Sequence, residues 1–201
     1  MHDATRVRRR DAGFSLPELL AVLGIMGTAA AVGMYTVNTG SWRASAAATE
    51  LARQLELARS RAAFEDHDYR VVFNTTAGTY TVHSDRNSNG TVESALGETQ
   101  VASPLTRSGS GIVFGFPSGA LGIDGATITS AITFTGSPPA VTFKPAGSAS
   151  NGVIYLVPDE DIGRGITSHM RAISVNVATG RVRRWKYVAG LANPGPWKLE
   201  R

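Results

Sequence analysis

Three groups of side chains have the types and spacing to do chemistry. Residues 180–187 read Gly-Arg-Val-Arg-Arg-Trp-Lys-Tyr, four cations and two aromatics in eight positions. Arg181, Arg183, Arg184 and Lys186 after Gly180 could bind phosphates while the rings stack on bases. The plainer reading is a charged edge strand, protected from aggregation by its cations. A second group runs from Asp85 to Glu93, with oxygen-bearing side chains at positions 1, 3, 5 and 9 and Gly90 at position 6. Asp85, Asn87, Asn89 and Glu93 thus match the opening of an EF-hand-like calcium loop. Position 12, which should carry a bidentate Glu, is Leu96, and Glu98 follows two residues late. Asn at positions 3 and 5 leaves little negative charge, so the alternative is an Asx-rich hairpin loop that binds nothing. The third feature is Glu18, the single side chain charged at neutral pH in the apolar stretch 14–37.

Other chemistries are poorly served. The chain has no cysteine, which removes disulfide frameworks, thiol catalysis and cysteine-ligated zinc. His67, His83 and His169 have no nucleophile or ligand at an informative spacing, and Asp159-Glu160-Asp161 beside Pro158 reads as a surface loop. The chain is therefore expected to be no enzyme and, calcium aside, to need no cofactor. Net charge is +4, but residues 1–13 hold Arg6, Arg8, Arg9 and Arg10 against Asp3 and Asp11, leaving +2 for the rest. A nucleic-acid partner must rest on local clustering of cations.

The elements that position these residues begin with an anchor. Residues 14–37 are long enough to cross a hydrocarbon core of about 30 Å as a helix. The arginines before it predict a cytoplasmic N-terminus and a C-terminal body on the far side. A cleaved secretory signal is the rival, since Ala29-Ala30-Ala31 offers a small-residue cut site. Against it stands Glu18, because an unpaired carboxylate in lipid costs at least ~2.5 kcal/mol. A helix that stays in an assembly can pair that charge with a cation from a neighbour.

Apolar periodicity continues at Leu51, Leu55, Ala58 and Ala62, the stripe of an amphipathic helix over 38–65. Glu50, Arg53, Glu56 and Arg59 share another face at spacings of three and can pair. An unbroken helix over 14–64 would be roughly 75 Å long. From residue 66 to 201 the pattern is of short strands. Residues 69–74 and 79–83 read as a hairpin, and further strands are expected at 112–116, 131–134, 140–144 and 152–157. Ile173, Val175 and Val177 alternate before Ala178-Thr179-Gly180, and 181–188 return as a terminal edge strand. Its alternation puts Arg181, Arg183, Trp185 and Tyr187 on one face, and Val182, Arg184, Lys186 and Val188 on the other.

The segment Gly13-Phe14-Ser15-Leu16-Pro17-Glu18-Leu19-Leu20 resembles the type III signal of type IV pilins and type II secretion pseudopilins. That family more often has an aliphatic residue where Pro17 stands, although Pro is tolerated in a first helical turn. The resemblance implies that a prepilin peptidase/methyltransferase cuts the leader 1–13 away between Gly13 and Phe14 and methylates the Phe14 amine. It also implies that Glu18 pairs with the Phe14 amine of an adjacent subunit. Together with Phe143-Lys144-Pro145-Ala146-Gly147 and the closing hairpin at Gly180-Arg181, the long helix resembles the GspH/FimT group of minor pilins and pseudopilins. The implied fold is α+β, a long N-terminal helix with a transmembrane first half, packed on an antiparallel β-sandwich-like head. The implied function is a minor subunit in the initiation or tip complex of a type II secretion pseudopilus or type IV pilus. Its partners would be other pilins and an inner-membrane assembly platform. Its location would be the inner membrane, single-pass with a periplasmic head, and then the filament. As an alternative, Gly180-Arg181-Val182-Arg183 is similar to the Gly-Arg-x-Arg motif of FimT-like pilins that bind DNA in natural transformation.

Overall fold

The computed structural model describes residues 15–36, 39–87, 89, 93, 97–98, 103–105, 111–191 and 195–200, without the side chains of 29–36. The leader, the Gly13–Phe14 bond and Leu96 lie outside the described residues. Two units, Met1–Asn38 and Thr39–Arg201, compose the chain.

In the first unit, helix α1 spans Leu16–Thr36. Pro17 lacks an N–H where a first turn leaves donors unmatched anyway, so the helix starts without loss. The Ser15 carbonyl accepts from Glu18 N (3.0 Å) and Leu19 N (3.1 Å). Leu16, Leu19, Leu20, Leu23, Ile25 and Met26 are all exposed. Among the described residues, no helix is long and apolar enough to cross a membrane.

The second unit is organised by α2, Thr39–Glu65. Leu51, Leu55, Ala58 and Ala62 are buried, as their spacing requires, and Ala44, Ala47, Ala48 and Ala52 widen the stripe. The small alanines let backbones of the sheets approach, while Leu51 and Leu55 contribute about 1.5–3 kcal/mol each by burial. On the outer face, Arg53 pairs with Glu50 (2.7 Å) and Arg59 with Glu56 (3.2 Å). Asp66, at φ 56°, takes the left-handed conformation that ends the helix.

Two antiparallel sheets pack with α2. The first has the order β3-β2-β1-β5, from β1 (Asp68–Asn74), β2 (Thr79–Asp85), β3 (Ser103–Pro104) and β5 (Ala140–Phe143). The second has the order β4-β6-β7-β8-β9, from β4 (Ile112–Phe114), β6 (Gly152–Pro158), β7 (Arg171–Val175), β8 (Val182–Tyr187) and β9 (Trp197–Glu200). A one-turn helix, α3 (Asp159–Ile162), follows β6. The main core joins α2 to both sheets through Val71, Phe73, Phe143, Ile154, Leu156 and Ile173. Phe73 of β1 meets Phe114 of β4 edge-on, with ring centroids 5.9 Å apart. A second cluster, on the other face of the five-stranded sheet, gathers Tyr155, Met170, Ala172 and Trp197 beneath the segment carrying Ala120 and Ile128.

The expected β1–β2 hairpin forms in register, Asn74 opposite Thr79. Its turn is closed by Ala77 N donating to Asn74 Oδ1 (2.9 Å). Two expectations are corrected. Residues 131–134 make only a bridge, Ile132 opposite Ile154. Thr133 Oγ1 captures the Val153 amide at 2.8 Å, and the Ser-Pro-Pro that follows cannot continue a ladder. Nor is the basic strand an edge, because β9 pairs with it from Arg184↔Glu200 to Tyr187↔Trp197. The closing Trp-Lys-Leu-Glu is a short strand, too brief for alternation to announce it.

Candidate functional site

The β7–β8 connection is a tight turn built on Asn176, whose Oδ1 accepts from Ala178 N (3.1 Å) and Thr179 N (3.2 Å). Gly180 then adopts φ 60°, and a Cβ there would lie 2.8 Å from the Gly147 carbonyl and 3.3 Å from Arg59 Cδ. Only glycine lets this turn sit against both α2 and the Lys144–Gly147 turn. The result aims the start of β8 along α2. A groove of about 530 Å³ is lined by Glu56, Arg59, Asn176, Thr179, Arg181 and Arg183. A second, of about 380 Å³, shares Glu56, Arg181 and Arg183 and continues past Arg53 and Arg184 to Glu200.

The four cations of the motif therefore separate. Arg181 and Arg183 are exposed and make no side-chain hydrogen bond or ion pair among the described residues. Arg184 turns inward and donates to Thr49 Oγ1 on α2. The Val182 amide beside it donates to Glu56 Oε1 (3.2 Å). Lys186 lies further along β8, opposite Lys198. The alternation is as expected: Val182 packs on the main core, and Trp185 and Tyr187 pack on the second cluster. Both rings are half-buried there. Trp185 Nε1 donates to Ser174 Oγ (2.9 Å), and Tyr187 meets Trp197 edge-on at 5.1 Å. They build the fold, and the groove beside them is cationic without being aromatic. Arg59 and Arg53 are groove residues that sequence reasoning placed only in helical ion pairs, since nothing in their spacing reports a turn more than 120 residues later. Arg53, with Gln54, holds the Glu50 carboxyl below its usual range by donating hydrogen bonds to it.

At the start of α2 a buried polar cluster fixes the helix to the second sheet. Arg171, 2% exposed, donates through Nη2 to Ser41 Oγ (2.8 Å) and through Nη1 to the Met170 carbonyl (2.9 Å), with Nε 3.3 Å from Glu200 Oε1. Burial pulls this guanidinium below its usual value, partly offset by Glu200. Beside it His169 Nδ1 lies 2.7 Å from Asp161 Oδ2, and Arg43 pairs with Glu160, holding that carboxyl below its usual range.

The Asp85 loop is closed by its own hydrogen bonds. Asn87 Nδ2 donates to Glu93 Oε2 (2.7 Å) and Asn89 Nδ2 to Glu93 Oε1 (3.2 Å). Asn89 N donates to Asp85 Oδ1 (3.2 Å). Glu98, which sequence spacing put two residues too late, is 1% exposed and accepts from Arg86 N (3.2 Å) and Glu93 N (2.9 Å). Its carboxylate ties the two ends of the loop together. Among the described residues, no group of three or more His, Cys, Asp or Glu could hold a metal ion. Glu18 is exposed on the first turn of α1.

The sequence model of the family described as type II transport protein GspH matches residues 47–179, from within α2 to the turn before β8. The chain belongs to the GspH family. The resemblance to GspH/FimT-like pilins thus holds over residues 47–179, and the α+β architecture with antiparallel sheets agrees with it. No match was found among curated proteins. Among solved structures, the type IV minor pilin FimU of Pseudomonas aeruginosa (strain PAO1) is similar at 14% identity, TM-score 0.44, over 69% of this chain and 85% of that one. In this GspH-family protein the matched region ends at Thr179, so the basic strand β8 lies just beyond it.

Proposed function

We propose that this GspH-family protein is a membrane-anchored minor subunit of a type II secretion pseudopilus or type IV pilus, in its initiation or tip complex. One observation carries the reading: a GspH-type head follows a helix whose first turn carries Leu16-Pro17-Glu18, preceded in the sequence by Gly13-Phe14-Ser15. In this reading residues 14–37 are the inner-membrane anchor, with the leader cytoplasmic and the head periplasmic. Prepilin peptidase cuts between Gly13 and Phe14, and the methylated Phe14 amine of a neighbour neutralises Glu18. The exposed leucines of α1 then pack on other subunits once the assembly platform draws the chain into the filament. Mass spectrometry of the membrane-extracted protein is expected to find a chain beginning at methylated Phe14. A soluble chain beginning at Val32 refutes the reading.

A second reading, DNA capture, is favoured by Arg181 and Arg183, two exposed guanidiniums that line a groove without a partner among the described residues. Each phosphate contact lowers the slope of log K against log salt by about 1. Gel-shift titration of the detergent-solubilised chain with Arg181→Ala plus Arg183→Ala should flatten that slope by about 2. Binding with an unchanged slope removes the site. Calcium at Asp85, Asn87, Asn89 and Glu93 stands behind both readings. It would require the two Asn amides to release Glu93 and turn their carbonyl oxygens to the ion, which calorimetric titration with Ca2+ detects as heat.

A further inference from the structure

The face of the first sheet turned away from the core carries a guanidinium that folding leaves unanswered. Tyr69, Val71 and Phe73 of β1 are buried in the core, so alternation turns Arg70 and Val72 outward. The register sets His83 of β2 opposite Arg70 on one side and Thr142 of β5 opposite it on the other. Imidazole, guanidinium and hydroxyl therefore share one row across three strands, all within the Thr39–Arg201 unit. Arg70 Nε is shut off from solvent and has no acceptor. The Nη donors are not shut off, and the side chain makes no hydrogen bond or ion pair among the described residues.

Carboxylates stand nearby and do not take this charge. Asp68 and Asp85, opposite each other, form the next row of the same face. Asp68 makes no ion pair among the described residues, and Asp85 Oδ1 accepts from Asn89 N (3.2 Å). Arg70 instead reaches the turn that leads into β5, where its Nη2 is 3.9 Å from the position of a Cβ built on Gly136. That Cβ would lie 3.0 Å from the Pro138 carbonyl oxygen at φ 111°, so only glycine lets the turn sit here. Burial around Nε fixes the guanidinium while its Nη donors stay open, so an anion that binds them spends little side-chain freedom. A partly desolvated cation with no counter-charge also gains more from an anion than a solvated one does.

We propose that Arg70, with His83 opposite it, forms a site for a dianionic oxyanion of the sulfate or phosphate type. Arg70 supplies the fixed charge, and His83 adds a second when protonated, so the pair then matches two negative charges. With Nε closed, the fork that takes a carboxylate side-on is lost, whereas a tetrahedral oxyanion can use single donors from several directions. Burial first, and then Arg70, hold the His83 imidazole below its usual range, with Glu98 opposing. An anion beside the two cations offsets their repulsion and favours the proton, so the site tightens as pH falls. The other charged groups near this face are Asp68 on β1, Asp85 on β2, Glu98 in the loop after it and Lys144 just beyond β5.

The test follows the histidine resonances of the full, detergent-solubilised chain by nuclear magnetic resonance, through a pH titration in sodium sulfate and in sodium chloride of equal ionic strength. Sulfate suits the purpose because it stays a dianion while histidine titrates. His83, identified by the signal that His83→Gln removes, should titrate about one pH unit higher in sulfate. His67 and His169 should titrate alike in both salts. Arg70→Gln should abolish most of the difference, and Arg70→Lys, which keeps the charge without the planar fork, should keep part of it. Unchanged His67 and His169 resonances show that both variants are folded. A His83 curve that is the same in both salts overturns the site. Equal shifts of all three histidines, or a His83 shift that survives Arg70→Gln, mean an adventitious ion only and overturn it as well. Competition at fixed pH then separates the sources: displacement of sulfate by inorganic phosphate alone assigns a free ion, and displacement by glycerol phosphate too assigns a phosphoryl group on a larger molecule.

Discussion

Gly180 can be tested as a structural residue independently of any ligand. Replacing it by alanine adds a Cβ at φ 60°, 2.8 Å from the Gly147 carbonyl and 3.3 Å from Arg59 Cδ. The left-handed conformation costs an L-residue about 1–2 kcal/mol, and loss of unfolded-state freedom returns about 0.4–1 kcal/mol. To this is added the contact with a carbonyl, which must move because backbone cannot swing away as a side chain does. Gly78 supplies the control: its φ is 63°, nearly the same, and a Cβ there would meet nothing within 4 Å. Gly78→Ala should therefore cost about 1 kcal/mol, and Gly180→Ala about 2–3 kcal/mol. At about 2–4 °C per kcal/mol for a chain of this size, the second variant should melt several degrees below the first. The assay is thermal denaturation of the detergent-solubilised chain, followed by circular dichroism. If the two variants melt together, the approach of Gly180 to the Gly147 turn is not what the glycine serves, and the placing of Arg181 by that contact is refuted.

Two further outcomes follow from the polar cluster and the first sheet. Arg171→Met strands Glu200 and the Ser41 contacts and should cost about 3–5 kcal/mol, whereas Arg171→Met with Glu200→Gln should recover most of it; a double variant no better than the single one would show that the pair is not coupled. Burial first, and then the neighbouring Arg70, lower the His83 pKa, with Glu98 opposing. The folded chain therefore binds that proton less tightly than the unfolded chain, so stability is complete above about pH 6.5 and is lost as pH falls through the folded pKa. His83→Gln should flatten the fall in melting temperature below about pH 6.5, and an unchanged slope would remove His83 as its source.

Features of one element were legible in the sequence, whereas features that depend on which elements meet were not. Leu51, Leu55, Ala58 and Ala62 announced the buried face of α2 because a helix repeats every 3.6 residues wherever it lies. The β1–β2 hairpin was equally local, since Asn74 caps its own turn four residues from Gly78. Residues 131–134 carry the same apolar alternation as a strand, yet Thr133 offers its hydroxyl to the Val153 N–H where a ladder would offer a carbonyl, and the run stops at one bridge. The basic strand shows the limit most clearly. Its composition was read as four cations on a free edge, an arrangement equally suited to DNA or to solvent. Pairing with β9 sets Lys186 against Lys198, while packing on α2 spends Arg184 on Thr49 and brings Arg181 and Arg183 to one groove with Arg59. No period or spacing encodes that partition, because it arises from which elements meet: a helix more than 120 residues earlier and a terminal strand of four residues. Cations that composition pooled into one site thus divide into two, a groove along the outer length of α2 and a lysine pair at its beginning. The two should respond separately to DNA: Lys186→Gln plus Lys198→Gln should leave the salt slope of DNA titration unchanged. A change in that slope would show that the four side chains act as one surface after all.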